Sequence, residues 1–227
     1  MKKRILIIAS SANTIGPNNR KTGSFLTEIA HPYQTFKKQG YDIDIVSING
    51  GEASLDGMFE KDEELNTAFL TGDGLQKMQH TLPLSEVNVA DYDAVFVPGG
   101  LAPMVDMPDN KLVQAAIAST YERGGVVGAV CHGPVSLLNV KLSDGSYLIN
   151  GKNITSFSNA EEENYAQDDV PFLLESALRN NGANYSSVAV WQPYSIADGN
   201  LVTGQNPASA TGVAEKMIAV LEAVEVL

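Results

Sequence analysis

The chain has one cysteine, and its surroundings are those of a reactive thiol. Residues Ala129-Val130-Cys131-His132-Gly133-Pro134 follow an apolar strand pattern and precede a helix, with small residues two before and two after the cysteine. That is the pattern of a nucleophile elbow, where a sharp strand-to-helix turn leaves no room for a Cβ at either flank. A helix N-terminus beyond the turn would offer free N–H groups to the sulfur and pull its pKa from about 8.5 toward neutrality. His132 beside such a thiol can move a proton or touch a carbonyl. A lone cysteine is otherwise most often an inert core residue, and the combined context favours the nucleophile.

Val97-Pro98-Gly99-Gly100 is a second strand running directly into glycines. Gly99 and Gly100 can turn bare N–H groups into a crevice, as an oxyanion hole requires, although an ordinary turn uses the same residues. Glu28 is the third candidate. It lies between Phe25 and Ile29, near the apolar face of a predicted helix, where desolvation would raise its pKa and suit it to shuttle a proton.

These residues need a scaffold. Short apolar runs at 4–9, 42–47, 94–98, 126–130 and 201–203 read as strands buried on both faces. Between them, 22–39 carries Phe25, Ile29, Tyr33 and Phe36 on one helical face and ends at Gly40. Helices are also expected at 110–123, 134–139 and about 209–224. Strands alternating with helices predict an α/β fold, a three-layer α/β/α sandwich whose ligand crevice opens at the carboxyl ends of the strands. Residues 50–88 and 142–153 interrupt the alternation. The first is acidic and is expected to form short helices, most simply with a solvated face, the alternatives being that its 52–73 stretch covers the crevice mouth or a partner surface; the second, with its Asp144-Gly145 and Asn150-Gly151 turns, is expected to be a small hairpin. One domain over 1–227 with these two insertions accounts for the whole length.

Composition removes several functions. The 227 residues hold 15 basic and 27 acidic side chains, a net charge of -12, which opposes binding to nucleic acid or anionic lipid. The apolar run after the basic start is too short for a secretory leader, and no stretch could span a bilayer, so a cytoplasmic location is expected. No metal-ligand spacing, phosphate loop or dinucleotide fingerprint is present, so no cofactor or metal is expected.

Taken together, the segments 97–100 and 129–134 and the Glu28 helix resemble the ThiJ/PfpI superfamily, related to class I glutamine amidotransferase domains. Three further segments, TGSFLTEIAHPYQTF from Thr22, NITSFSNAEE from Asn153 and YSIADGNLVTGQNPASA from Tyr194, resemble its heat-shock glyoxalase III and holding-chaperone branch. The resemblance implies a flavodoxin-like sandwich with a small cap, a homodimer, and a Cys131, His132 and acid triad whose acid falls on Glu162, between Glu161 and Glu163. It also implies cofactor-free conversion of methylglyoxal and water to lactate, with a small aldehyde as substrate. A cysteine amidase or peptidase is the alternative enzyme, and a redox-sensing stress protein or holding chaperone for unfolded clients is the alternative of another class.

Overall fold

The computed structural model describes residues 2–223. Strands β1 (Arg4–Ala9), β2 (Asp42–Ser47), β3 (Leu82–Pro83), β4 (Ala94–Val97), β5 (Val126–Val130), β6 (Ser195–Asp198) and β7 (Leu201–Gly204) form one sheet in the order β6-β7-β5-β4-β1-β2-β3. All neighbours are parallel except β6 and β7, which form an antiparallel edge. The register pairs Ile7 with Ile45 and Phe96, and Val97 with Ala129. The fold is therefore the mostly parallel α/β sandwich expected. The small antiparallel strand β6 was not foreseen, because Ser195–Asp198 is half-polar and only partly buried.

Side chains on successive strand residues point to opposite faces, so a strand buried on both sides feeds two separate cores. Ile5, Ile7, Phe96 and Val130 pack with Leu26, Ile29, Phe36, Val213 and Met217, under helices α1 (Leu26–Lys38) and α7 (Ala210–Ala223). Leu6, Ile8, Val95, Val97 and Val127 pack on the other face with Val113 and Ile117 of α4 (Lys111–Glu122). Asn110 caps α4 by accepting the N–H groups of Leu112 and Val113. Gly40, at φ +83, ends α1 by donating to the Lys37 carbonyl while Tyr41 donates to Phe36. Val224, the last residue expected in the terminal helix, lies outside the described residues.

Residues 50–88 form short helices, as expected, including α2 (Glu64–Thr71) and α3 (Asp73–Gln79); α2 lies against α1 through an edge-on contact of Phe69 with Tyr33 at 5.2 Å. Two other expectations are corrected. The segment after Cys131 is a five-residue 3-10 turn, Gly133–Leu137, rather than an α-helix. All five of those residues are buried between sheet and α4, so packing sets their path. Residues 142–153 form turns with a single bridge, Lys141 to Tyr147, rather than a hairpin. Here Leu148 and Ile149 are drawn into the core, which prevents the alternation a two-stranded ribbon needs. The segment leads into α5 (Asn159–Glu162) and α6 (Leu174–Asn180), which pack together over this part of the molecule.

Candidate active site

Cys131 follows the last residue of β5 and has φ +60, a backbone region that side chains with a Cβ rarely adopt. The strained turn is clamped on both sides, since Cys131 donates its N–H to the Gly204 carbonyl at 2.9 Å and its own carbonyl accepts from Phe157 at 2.8 Å. The small neighbours are needed for the reason read from the sequence. A Cβ on Gly133 would overlap the Val97 carbonyl oxygen, and one on Gly99 would lie 2.8 Å from the Cys131 Cβ and overlap Glu28 Oε2. Gly100 has φ +88, with no space for a side chain against the Gly23 carbonyl.

Around this sulfur the fold collects the other candidates. His132 Nδ1 is 3.3 Å from Cys131 Sγ, and His132 Nε2 is 2.6 Å from Glu162 Oε2. With Glu162 ionised, the ring proton belongs on Nε2 as its donor, which leaves the Nδ1 lone pair facing the thiol. The three acids of the 161–163 run are separated by their surroundings. Glu161 turns the other way and is the side-chain half of a capping box for α5, accepting from Ser158 N and Oγ, Gln205 Nε2, Trp191 N and Asn206 Nδ2. Glu163 is exposed. Glu162 alone of the three reaches His132.

Glu28 sits in the first turn of α1 with its carboxyl wholly buried and neither oxygen in a well-formed hydrogen bond. Burial pushes its pKa up to about 8, against weaker opposing pulls from the Cys131 thiol and the Gly99 and Gly100 amides. It is therefore a neutral acid at pH 7. The expected downward shift at Cys131 is not found. Burial pushes the thiol up, the Glu28 carboxyl adds to the rise when charged, and the Gly100 N–H acts only weakly in the other direction. Burial is the main reason, and the segment beyond the thiol is a short 3-10 turn rather than the helix whose dipole was to stabilise a thiolate. The resting sulfur is thus protonated, and an ion must be generated by a base. Of the two glycines, Gly99 directs its amide toward the Glu28 carboxyl, while the Gly100 amide faces both that carboxyl and the sulfur.

These groups line a cavity of about 390 Å³ with Phe25, Phe59, Glu60, Gly100, Phe157, Tyr165, Trp191, Pro207 and Ala208. Phe157 stacks on the His132 ring at 4.5 Å and meets Trp191 edge-on at 5.4 Å, so the imidazole is walled on its open side. Trp191 itself has φ +62. Burial pushes the Tyr165 hydroxyl up, keeping it protonated. Sequence reasoning missed this aromatic wall, whose only signal was that Trp191 is the one tryptophan of the chain. A larger groove of about 860 Å³ runs between Thr14–Asn19, the 104–110 segment and 168–172, but it holds no nucleophile or base pair. Among the described residues, no cluster of His, Cys, Asp and Glu suits a metal ion, and no helix is long and apolar enough to cross a membrane.

The chain is similar to known proteins over most of its length. The model of the DJ-1/PfpI family aligns with residues 22–220. The chain belongs to the DJ-1/PfpI family. Among relatives in that family, it is 34% identical over 235 residues to a glutathione-independent glyoxalase of Saccharomyces cerevisiae, covering 97% of this chain and 98% of that one. The crystal structure of glyoxalase III from Candida albicans superposes with a TM-score of 0.87 at 28% identity, covering 96% and 97%. The Rapid Encystment Protein 24 kDa of Francisella tularensis superposes with a TM-score of 0.92 at 39% identity, covering 96% and 99%. The DJ-1/PfpI membership agrees with the resemblance read from residues 97–100 and 129–134.

Proposed function

We propose that the protein is a glutathione-independent glyoxalase that converts methylglyoxal and water to lactate, with Cys131 as nucleophile. The observation that carries this reading is the Glu28 carboxyl, buried against the thiol and held near pKa 8. The near full-length glyoxalase relatives support it.

His132 Nδ1 takes the thiol proton, and Glu162 across the ring holds the resulting imidazolium. The sulfur adds to the aldehyde carbon, and the carbonyl electron pair moves onto oxygen beside the Gly100 N–H. Neutral Glu28 gives that oxygen its proton, completing a hemithioacetal, and the carboxylate so formed is a base. It removes the proton from the former aldehyde carbon and returns it to the neighbouring ketone carbon, while the His132 imidazolium protonates the former ketone oxygen and the hydroxyl proton passes back to Glu28 as a thioester carbonyl forms. Water then cleaves the carbon–sulfur bond, releasing lactate and restoring the thiol. Electrons balance within the substrate, since one carbon is oxidised as its neighbour is reduced, so no external redox partner is needed.

An amidase would use the same sulfur and histidine but has no step that requires a second titrating group against the nucleophile. Lactate formation from methylglyoxal in the absence of glutathione, lost in Cys131→Ser, tests the proposal. Acyl-enzyme trapped from amide or peptide substrates, with no lactate from methylglyoxal, would replace it with acyl transfer.

A further inference from the structure

The cavity around Cys131 carries an acid that the proposed chemistry does not use. Glu60 ends the short 3-10 turn Met58–Glu60, whose last two residues line the cavity, and its neighbour Phe59 is 81% exposed while meeting Phe25 edge-on at 6.0 Å. This turn belongs to the acidic 50–88 segment, whose charge reads from the sequence as a solvated face or as a cover for the crevice mouth or a partner surface. Glu60 lines the cavity and is fixed there. Thr27 Oγ1 donates to Glu60 Oε2, and Asn66 Nδ2 donates to both Thr27 Oγ1 at 2.9 Å and the Glu60 carbonyl at 3.0 Å. Thr27 is next in sequence to Glu28, so the two carboxyls stand on one wall, and the charge of Glu60 reinforces the retention of the Glu28 proton.

Among the described residues, no lysine or arginine lines this cavity. The Arg20 guanidinium lies over the Tyr165 ring at 5.0 Å and is tied to Asp169 at 3.0 Å, so the negative charge of Glu60 is not cancelled from that side. Apart from the reacting groups Glu28, Cys131 and His132 and the Gly100 backbone, the remaining walls are aromatic or proline and alanine.

We infer that Glu60 is a specificity-determining residue that makes the cleft accept uncharged carbonyl compounds and reject carboxylates. The inference rests on the glyoxalase reading for its consequence: the dicarbonyl substrate is neutral and enters, whereas the product is an anion and is expelled by the same wall. A fixed carboxylate a few ångströms from a bound carboxylate, in a half-open site, discriminates by about ten-fold. α-Oxo acids are excluded on the same ground.

The test uses lactate and lactamide, which differ in replacing the carboxylate by a neutral amide, and reads binding from the fluorescence of Trp191, the one tryptophan, in the cavity wall. The wild type is expected to bind lactamide about ten-fold more tightly than lactate, with the gap narrowing as salt is raised. Glu60→Gln, which can still accept from Thr27, should close the gap to about two-fold by tightening lactate. A ratio that is the same in both proteins, or equal affinities in the wild type at low salt, overturns the inference. Should Glu60→Gln fail to fold, the wild-type ratio and its salt dependence decide alone. These measurements need no turnover, so a wild type that makes no lactate would sink the reaction proposed above and leave the charge selection to be judged on its own ratio.

Discussion

His132 bridges the nucleophile and a buried acid, with Nδ1 3.3 Å from Cys131 Sγ and Nε2 2.6 Å from Glu162 Oε2. Because burial keeps the resting thiol protonated, this bridge supplies a base that can ionise the sulfur on demand. The first prediction follows. Glu162→Gln would present an amide where a carboxylate fixes the tautomer, and lactate formation should fall by about 10³- to 10⁴-fold with little change in KM. Steady-state kinetics check it; a loss under ten-fold would remove Glu162 from the relay.

Glu28 gives a stability prediction with a definite sign. Its folded pKa of about 8 lies above the ordinary carboxylate value of 4.5, so the folded protein holds a proton that the unfolded chain releases between those two values. The stability contribution is complete below pH 4.5 and is lost as pH rises toward 8, on the order of 4–5 kcal/mol in all. Glu28→Gln has no such proton. Its stability relative to wild type should therefore climb across that window, which urea denaturation at pH 5 and pH 8.5 would show. A constant difference would mean that Glu28 is ionised in the fold.

The same proton sets the alkaline limit of activity. Above about pH 8 Glu28 can no longer donate to the nascent oxyanion, so kcat should decline there while the wild type remains folded. A kcat that continues to rise through pH 9 would contradict the assigned donor role.

Much of this was legible in the sequence because it is local. The positions of Cys131, Gly99 and Gly100 follow from strand runs that stop at small residues, and Glu28 from its place on an apolar helical face. The aromatic wall was not, since Phe157, Tyr165 and Trp191 converge from segments without helical or strand periodicity. The sign of the thiol shift was misread for a physical reason. A helix dipole was counted, whereas the chain supplies a five-residue 3-10 turn and complete burial. Glu60 could be placed only within an acidic run, because such a run looks the same whether it faces water or a cleft.

Gly99 offers a steric prediction. A methyl group there would overlap Glu28 Oε2 and lie 2.7 Å from the Val130 carbonyl and 2.8 Å from the Cys131 Cβ. Gly99→Ala should cost about 1–3 kcal/mol of stability and, where it folds, slow Cys131 alkylation by displacing the carboxyl from the sulfur. Wild-type alkylation kinetics in that variant would show that the close approach has no functional weight.

Glu161 holds five donors and ties α5, which carries Glu162, to the Trp191 loop. Glu161→Gln places an amide NH₂ against donors and should destabilise the fold by about 2–3 kcal/mol. The Trp191 emission should shift red as its N–H loses its partner. Unchanged emission with lowered stability would confine Glu161 to capping α5.

In the proposed reaction a protonated carboxyl beside a cysteine moves a proton between adjacent carbons. ¹H NMR of methylglyoxal incubated without glutathione tests it directly, comparing wild type with Glu28→Gln. Lactate is expected in proportion to the methylglyoxal consumed by the wild type, with methylglyoxal left intact by Glu28→Gln although Cys131 and His132 are both present. Lactate produced by Glu28→Gln at the wild-type rate would contradict it.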